Sequence, residues 1–387
     1  MNQLAIRCVL MRGGTSKGLY FHERDLPAPG PRRDALLLRL MGSPDVLQID
    51  GLGGSRPITS KVAVIAPSGR TDADVEYTFA QVEVDGDRVH HAGNCGNISS
   101  GVGPFAVDEG LVAVTEPVTR VRIHNTNTDA IIVADVPVEN GAAKVDGDFA
   151  IAGVPGTGAE IAMNWKGTVG AKTGALLPSG HAADTITLDD GTVVRATLCD
   201  AANPFVWVRA ADVGVDEHGT AADVTGDARL MRALAEVREH AAVAMGLSPD
   251  RAAYRRSPSD LPLVAVVAPP HDYTSLHGRE VRAADLDLRV HVIFMNRLHE
   301  SVPGTGSVCL AAASRIPGSV VHDVTRDPAA GRLLIGHPSG VTPARAVAHP
   351  VAEHPYVAFD DLGFSRTARR LMDCQAYYPE RTLDGIE

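Results

Sequence analysis

Two segments of this chain resemble each other, one in each half of the sequence, and this internal echo restricts the folds that the chain can adopt. AGNCGNISSGVGPFAV (residues 92–107) and SVPGTGSVCLAAASRI (residues 301–316) both run from small polar residues into an Ala-, Gly- and Val-rich stretch that predicts a helix. Aligning them at their glycines gives three residue pairs: Cys95 with Pro303, Gly96 with Gly304, and Asn97 with Thr305. Such an echo is typical of a chain built from two related halves.

The segments around this echo predict mostly strands. Short apolar runs alternate with Asp-Gly and other turn signals, as in VAVIAPSGRTDADVEYTFAQVEVDGDRV. Besides the two echo segments, helices are predicted over RRDALLLRLMG, DARLMRALAEVREHAAVAMG and SRTARRLMD. Many long antiparallel strands with few helices indicate the α+β class.

The domain boundary is predicted around LLPSGHAADT, where Gly, Pro and polar residues interrupt the strand pattern. This gives an N-terminal domain over residues 1–182 and a C-terminal domain over residues 183–387. We allow for the last helix or strand of the chain to return to the first domain. Two domains that pack against each other are expected to leave a cleft for a ligand.

Charge and composition exclude several classes of function. The formal net charge of −11 argues against a nucleic-acid-binding surface, which needs a basic face. The start of the sequence lacks the basic and long apolar regions of a signal peptide, and no apolar run is long enough to span a membrane. The five cysteines are widely spread without a CxxC pair, so they predict neither a disulfide framework nor a zinc site. We therefore expect a cytoplasmic protein that binds neither nucleic acid nor membrane.

The stretch MRGGTSKGLYF (residues 11–21) is polar and glycine-rich between two apolar runs. It does not match a P-loop, because its lysine precedes the last glycine and no hydroxyl residue follows. It is either a plain hairpin turn or a lip that binds a substrate carboxylate, with glycines allowing close approach of the backbone. The residues assigned to this lip are Arg12, Gly14, Thr15, Ser16 and Lys17. If Arg12 pairs with an internal carboxylate instead, the lip retains backbone donors only.

Two residues are candidates for carrying chemistry. Cys95 lies at a predicted helix N-terminus, where backbone N–H groups stabilise a thiolate, although most free cysteines are buried and inert. Lys61 opens the strand VAVIAP; it is either a buried neutral amine that acts as a base or a solvated strand-end lysine. The histidines show no HExxH or HxH spacing, and no GxGxxG opens a βαβ unit. We therefore predict no metal and no dinucleotide cofactor.

Eight motifs follow one another along nearly the whole chain as they do in a known family. They are MRGGTSKGLYF, GSPDVLQIDGLGG, TSKVAVI, GNCGNISSGVGPFAV, LLPSG, IPGSVV, GHPSG and SRTARRLM. In this order they resemble the 2-methylaconitate cis–trans isomerase family, which also includes 4-oxalomesaconate tautomerases and methylitaconate isomerases. The resemblance implies the diaminopimelate-epimerase-like fold. In that fold two pseudo-symmetric domains each wrap a mostly antiparallel sheet around a central helix, and the active site lies between them.

The resemblance also implies residue roles. Lys61 of TSK would be the general base, and Cys95 of NCGN would lie in the same pocket. The reaction would move a C=C bond by a 1,3-proton shift without metal or organic cofactor, with either the Lys61 ammonium or Cys95 returning the proton. N–H groups at both helix starts would stabilise the dienolate. The predicted substrate-binding residues outside the lip are Ser60, Asn94, Gly96, Asn97, Gly304, Thr305, Gly306 and Ser307.

We therefore expect an allylic isomerase, or tautomerase, that acts on a small unsaturated di- or tricarboxylate. A 4-oxalomesaconate-like keto acid is favoured over methylaconitate or methylitaconate, because GLGGSRPITSKVAV resembles that subgroup more closely.

An amino-acid epimerase is disfavoured, since epimerases of this fold carry a second thiol where this chain has Pro303, and Cys309 lies more than a turn deeper. A non-catalytic carboxylate-binding protein is the other alternative, and the presence of both Lys61 and Cys95 argues against it. A homodimer is compatible with a chain of this size.

Overall fold

Spatial contacts divide the chain into two units. The structure is a computed structural model that describes residues 2–91, 93–215, 224, 226–257, 259, 261–294 and 297–386. The first unit comprises Met1–Met163 and Ser365–Glu387, and the second comprises Asn164–Phe364. None of the helices in the described ranges combines the length and apolar character needed to cross a membrane.

The second unit begins earlier in the chain than the domain boundary that we predicted after residue 182. The backbone N–H of Trp165 donates to Leu362 O at 2.7 Å, and its indole stacks on Phe364 with the ring centroids 5.5 Å apart. These contacts attach the segment around Trp165 to the sheet of the second unit, well before the polar stretch that suggested the boundary. At its end the chain rejoins the first unit from Ser365 onward.

The first unit is built on one mixed sheet. Its helices and strands follow one another as β1 (Gln3–Gly13), β2 (Ser16–His22), α1 (Pro31–Met41), β3 (Lys61–Pro67), β4 (Val75–Val82), β5 (Val89–His90), α2 (Gly96–Asp108), β6 (Val118–Asn125), β7 (Ala130–Glu139), β8 (Ala142–Ala143), β9 (Ile161–Asn164) and, from the end of the chain, β21 (Ala368–Pro379). The sheet order is β7-β6-β4-β3-β2-β1-β21, in which β2–β3 and β4–β6 are parallel pairs.

The second unit repeats this arrangement. Its elements are β10 (Asp184–Thr187), β11 (Val193–Ala201), β12 (Asn203–Arg209), α3 (Ala210–Val213), α4 (Ala228–Ala244), α5 (Arg251–Arg256), β13 (Leu263–Ala268), β14 (Tyr273–Thr274), β15 (Glu280–Val281), β16 (Leu288–Phe294), β17 (Arg297–Leu298), α6 (Gly304–Ala313), α7 (Val320–Val324), β18 (Arg332–His337), β19 (Gly340–Pro350) and β20 (Val357–Arg366). The sheet order is β20-β19-β18-β16-β13-β12-β11-β10, with β12–β13 and β16–β18 parallel.

The parallel pairs fall at the same places in the two sheets, and α2 and α6 occupy equivalent positions in the strand sequence. Cys95 is the N-cap residue of α2 and Pro303 is the N-cap residue of α6, so the alignment drawn from sequence is confirmed. The predicted α+β class with two pseudo-symmetric halves is confirmed as well.

Helix α2 is buried along eleven of its 13 residues. This burial requires small side chains, since a Cβ on Gly101 would lie 2.4 Å from Tyr20 Oη and one on Gly103 would lie 2.6 Å from a methyl carbon of Val136. Tyr20 Oη in turn donates to Ile98 O at 2.6 Å. A long apolar side chain at either glycine would force the helix off the sheet.

The two faces of the first sheet carry different helices. Val62 and Val64 of β3 belong to a core that includes Leu36 and Leu37 of α1. Because successive strand residues face opposite sides of a sheet, Lys61 points to the other face, along which α2 runs.

The helix predicted over SRTARRLMD is wrong. Ser365 and Arg366 end β20, and the residues from Ala368 onward form β21, which pairs antiparallel with β1 from Gly13 opposite Ala368 to Gln3 opposite Pro379. The backbone donors and acceptors along the edge of β1 find their partners in this strand, and that long-range pairing outweighs local helix propensity.

Glu109 directly follows α2 and fixes the end of the helix to the sheet. Its carboxylate accepts from Arg7 at 2.7 Å, from Arg370 at 2.7 Å and lies 2.9 Å from His22 Nε2. The hydrogen bond from Arg7, followed by those from His22 and Arg370, holds the pKa of Glu109 well below its usual range although burial opposes the shift.

We expect Glu109→Gln to lower the free energy of unfolding at pH 7 by about 2 kcal/mol, since a hydrogen bond to a charged group contributes about 1.5–3 kcal/mol. A depressed carboxylate pKa stabilises the fold above about pH 4.5, and this contribution is lost as pH falls through the folded-state value. The variant should therefore show a shallower loss of stability between about pH 5 and pH 3 in urea titrations followed by circular dichroism. Glu139→Gln, at a more exposed position, is the matched control. Identical pH dependence in the two variants would contradict this account.

Candidate active site

The glycine-rich stretch forms the turn of the β1–β2 hairpin. Gly13 pairs with Ser16, which leaves Gly14 and Thr15 as the turn. Gly14 has a φ of +51°, and its N–H donates to Thr367 O at 2.9 Å. Ser16 is buried, and Thr15 is half-buried. The stretch is therefore the turn of a hairpin, and its assignment to a substrate carboxylate stays a prediction.

The turn lies against the first turn of α2. A Cβ on Gly13 would lie 2.4 Å from Asn97 O, and one on Gly14 would lie 2.2 Å from Asn97 Oδ1. Asn97 Nδ2 donates to Thr15 Oγ1 at 3.0 Å. The two glycines therefore bring the hairpin directly against the helix N-terminus: a side chain at Gly13 would meet a backbone oxygen, and one at Gly14 would force the Asn97 amide to move.

Arg366 also contacts Asn97, although the sequence did not predict a role for it. We call the β1–β2 turn with Asn97 and Arg366 the hairpin cluster. Its Nε donates to Asn97 Oδ1 at 3.0 Å and its Nη1 donates to Ser365 O at 2.9 Å. Burial lowers the pKa of Arg366 to about 10, and the nearby Cys95 opposes that shift. The motif SRTARRLM contains this residue, but a helix was predicted there, so its contact with Asn97 of α2 was not expected.

Arg12 supplies positive charge at the base of the hairpin. Its Nη1 donates to two backbone carbonyl oxygens, Gly14 O at 3.0 Å and Thr367 O at 2.8 Å. Within the described ranges no carboxylate pairs with this guanidinium, so the alternative of an internal acid partner finds no support there. Burial, followed by the proximity of Arg369, lowers the pKa of Arg12. Lys17, on the other strand of the hairpin, is half-buried.

Lys61 is the first residue of β3 and is only 9% exposed. Its Nζ donates to Gln81 Oε1 at 2.5 Å and lies 5.1 Å from the centroid of the Phe79 ring. On the other side β2 approaches closely, because a Cβ on Gly18 would lie 2.5 Å from Lys61 O. The lysine is therefore a buried side chain, as the catalytic interpretation requires, and not a solvated strand end.

Cys95 is half-exposed at the N-cap of α2, and no described side chain caps this helix. Burial raises the pKa of Tyr20 and of Tyr77, and the charge of the nearby Cys95 is the next cause in both cases. Asn94 is buried, and its Nδ2 has no hydrogen-bond partner in the described part of the chain. An open helix start with an unpartnered donor beside it is suited to an anion.

Two predicted contact residues have their hydroxyl groups turned into the protein. Ser60 is fully buried, and its Oγ accepts from Gln48 Nε2 at 2.7 Å. Ser307 is also fully buried and donates to Gly304 O at 2.7 Å. Both side chains act within the fold, so direct contact of their hydroxyls with a substrate has no support in this geometry.

The remaining predicted contacts form the first turn of α6 in the second unit. Thr305 Oγ1 accepts from Asn203 Nδ2 at 3.2 Å, and the closest approach to a Cβ on Gly304 is 2.8 Å, from the Phe364 ring. No described side chain caps α6. The assignments of Gly304, Thr305, Gly306 and Ser307 to the substrate stay predictions.

Among the residues that the structure describes, one group in the second unit has metal-ligand chemistry. Asp189, Glu236 and His240 offer ligand atoms within 4.8 Å of one another. Arg251 already occupies this group, since it donates to Asp189 at 2.9 Å and to Glu236 at 3.2 Å. A metal ion would have to displace the guanidinium, so the carboxylates are accounted for by ion pairs.

Comparison with known families agrees with the motifs. The chain belongs to the PrpF protein family, whose model matches residues 3–379. The resemblance to the methylaconitate isomerase family is thereby confirmed. Relatives along nearly the whole chain include "3-methylitaconate isomerase" of Eubacterium barkeri, 43% identical over 99% of both chains, and "4-oxalomesaconate tautomerase" of Pseudomonas putida, 40% identical over 100% of both. A third is "2-methyl-aconitate isomerase" of Shewanella oneidensis, 37% identical over 96% of both.

Solved structures support the same fold. The crystal structure of methylitaconate-delta-isomerase matches with a TM-score of 0.85 at 43% identity, covering 100% of this chain and 98% of the other. A hydroxyproline epimerase from Agrobacterium vitis matches with a TM-score of 0.54 at 14% identity, covering 97% and 93%. At that identity the second match shows the fold alone, and it confirms the predicted epimerase-like architecture.

Gly14→Ala tests the close approach of the hairpin to α2. The new Cβ would collide with Asn97 Oδ1, so we expect the free energy of unfolding to fall by about 1–3 kcal/mol beyond the cost of the positive φ itself. Gly110→Ala is the matched control, since Gly110 has a φ of +65° and no atom within 4 Å of its Cβ position. Thermal or urea denaturation measures both variants. Equal destabilisation would show that the contact with Asn97 is not tight.

Proposed function

We propose that the chain is a cofactor-independent isomerase that moves a C=C bond by a 1,3-proton shift in a small unsaturated di- or tricarboxylate. The observation that carries this proposal is the buried Lys61 amine, whose hydrogen-bond partner is the neutral amide of Gln81. Unlike a carboxylate, an amide places no negative charge beside the amine. The relatives that match the whole chain are named as isomerases and tautomerases, which supports the same class of reaction.

In the proposed mechanism Lys61 removes a proton from the carbon next to the conjugated system. Negative charge then spreads over the dienolate and its carboxylate. The free N–H groups of the first turn of α2, with Asn94 Nδ2, are the donors assigned to stabilise it, and each well-placed donor contributes about 3–4 kcal/mol. The Lys61 ammonium or the Cys95 thiol returns the proton at the far carbon.

The hairpin cluster is assigned to a second carboxylate of the substrate. Arg12 and Lys17 supply positive charge, and Arg366 holds Asn97 in place beside the turn. Bidentate guanidinium–carboxylate pairing gives both affinity and orientation, which an allylic proton transfer needs.

Two groups of unsaturated carboxylate are candidate substrates, and each is assayed separately. We propose a 4-oxalomesaconate-like keto acid first, on the subgroup resemblance of GLGGSRPITSKVAV and the 40% identity to a tautomerase of that substrate. Methylitaconate is the second candidate, favoured by the relative and the solved structure at 43% identity. An epimerase with two thiols is disfavoured further, because Cys309 is buried and donates to Cys199 O at 3.4 Å.

The decisive experiment follows proton exchange and bond movement together. Purified protein in D₂O is incubated with 4-oxalomesaconate, 3-methylitaconate and the methylaconitates, and each compound is followed by proton NMR. We expect one of them to isomerise with deuterium incorporation, and Lys61→Ala to lower the rate by about 100-fold or more, as for loss of a general base. Lys144→Ala, at an exposed lysine of the same unit, should retain the full rate. Wild-type rates in Lys61→Ala would remove Lys61 from the mechanism.

The expectations of a homodimer and of a cytoplasmic location stay predictions. Light scattering coupled to size-exclusion chromatography measures the first directly, with the dimer mass as the expected result and a monomer mass as the contrary one.

A further inference from the structure

Gln81 lies directly opposite Lys61 in the register of β3 and β4. Its two polar atoms make separate sets of contacts. Oε1 accepts from Lys61 Nζ at 2.5 Å, while Nε2 donates to Ser60 O at 2.9 Å and to Pro57 O at 3.0 Å. A rotated amide would place its oxygen against two carbonyl oxygens, so the two acceptors fix Oε1 toward the lysine.

A second buried amide holds the same segment from the other side. Gln48 is 2% exposed, has a φ of +47°, and donates from Nε2 to Ser60 Oγ at 2.7 Å. Its own Oε1 accepts from the backbone N–H of Ser55 at 3.0 Å. The chain entering β3 is therefore fixed through Ser60 by two glutamines, and Gln81 carries this restraint on to the Lys61 side chain.

A neutral amine has two N–H groups and one lone pair, and rotation about the Cε–Nζ bond decides where the lone pair points. A hydrogen bond to Gln81 Oε1 uses one N–H and leaves two directions for the lone pair, and the Phe79 ring covers another side of Nζ at 5.1 Å from its centroid. The direction left for the lone pair is thereby restricted before substrate arrives. Pre-orientation of this kind lowers the barrier of a proton transfer.

We propose that Gln81 is a positioning residue, which orients the Lys61 amine without placing a charge beside it; this inference rests on the proposed function of Lys61 as the base. Its uncharged oxygen favours the ammonium less than a carboxylate would. The titratable side chains on the neighbouring elements are Lys17, Tyr20 and His22 on β2, Glu76 and Tyr77 on β4, and Asp108 on α2, with Cys95 at the start of that helix. No carboxylate in the described ranges lies within ion-pairing distance of Lys61 Nζ.

Two variants with opposite expected effects test this role. Gln81→Glu puts a carboxylate beside the amine, so the pH at which Lys61 becomes half-reactive should rise by about one unit or more. Gln81→Met has similar length but removes the acceptor, so that midpoint should fall and kcat should drop about 10- to 100-fold with KM within about twofold. Gln3→Glu, at an exposed position, adds the same charge and should shift neither quantity.

The midpoint is measured without substrate, by labelling with acetic anhydride across a pH series and quantifying the Lys61 peptide by mass spectrometry. Circular dichroism and thermal melts confirm that each variant is folded. A residue that merely stabilises the fold would change melting temperature and leave the labelling midpoint of the folded variants unchanged, and that result would overturn the proposal. If the midpoints shift but Lys61→Ala keeps wild-type turnover, Gln81 does tune the amine and the proposed role of Lys61 has failed instead.

Discussion

Burial of α2 beneath the first sheet is the constraint on which the rest of the first unit depends. A helix buried on nearly every side needs partners that come within backbone distance, and Gly101 and Gly103 on the helix provide the space for Tyr20 and Val136. At the N-terminal end, Gly13 and Gly14 of the hairpin do the same for Asn97. The packing that stabilises the helix therefore also fixes the position of its uncapped N-terminus beside the hairpin.

That placement concentrates positive electrostatic potential at the start of α2. Backbone N–H groups at the start of α2, the guanidinium of Arg12 and the buried guanidinium of Arg366 lie in one unit with Cys95. The sheet orients Lys61 to the same face because strand residues alternate, and Val62 and Val64 use the other face for the core with α1. A protein with a net charge of −11 can thus still attract a carboxylate, since local donors dominate at short range.

Features encoded locally could be predicted from the sequence, and features created by long-range pairing could not. The helix starts at Cys95 and Pro303 are marked by Gly and small polar residues, so their equivalence was visible before the fold was known. Arg366 was missed because a helix was predicted over its segment, whereas Arg366 ends β20 and the residues from Ala368 onward pair with β1 at the opposite end of the chain. Gln81 was missed because only the register of β3 with β4 brings it to Lys61.

The direction in which a side chain points could not be predicted from the sequence either. Ser60 adjoins the candidate base in the chain, yet its hydroxyl faces Gln48 in the interior. The second unit begins before the predicted domain boundary for a related reason. A polar loop in the sequence marks a reversal of the chain, but the contact of Trp165 with Phe364 determines which sheet the segment joins.

Ligand protection of Cys95 tests most directly the claim that the reactive site lies at the start of α2. The protein is alkylated with iodoacetamide, and each cysteine is quantified by mass spectrometry with and without the carboxylate that it isomerises. Cys95 should react ahead of the buried Cys8, Cys199 and Cys309, and ligand at about ten times its Kd should slow its alkylation about tenfold while leaving Cys374 unchanged. Alkylation of Cys95 at the same rate under saturating carboxylate would contradict the account.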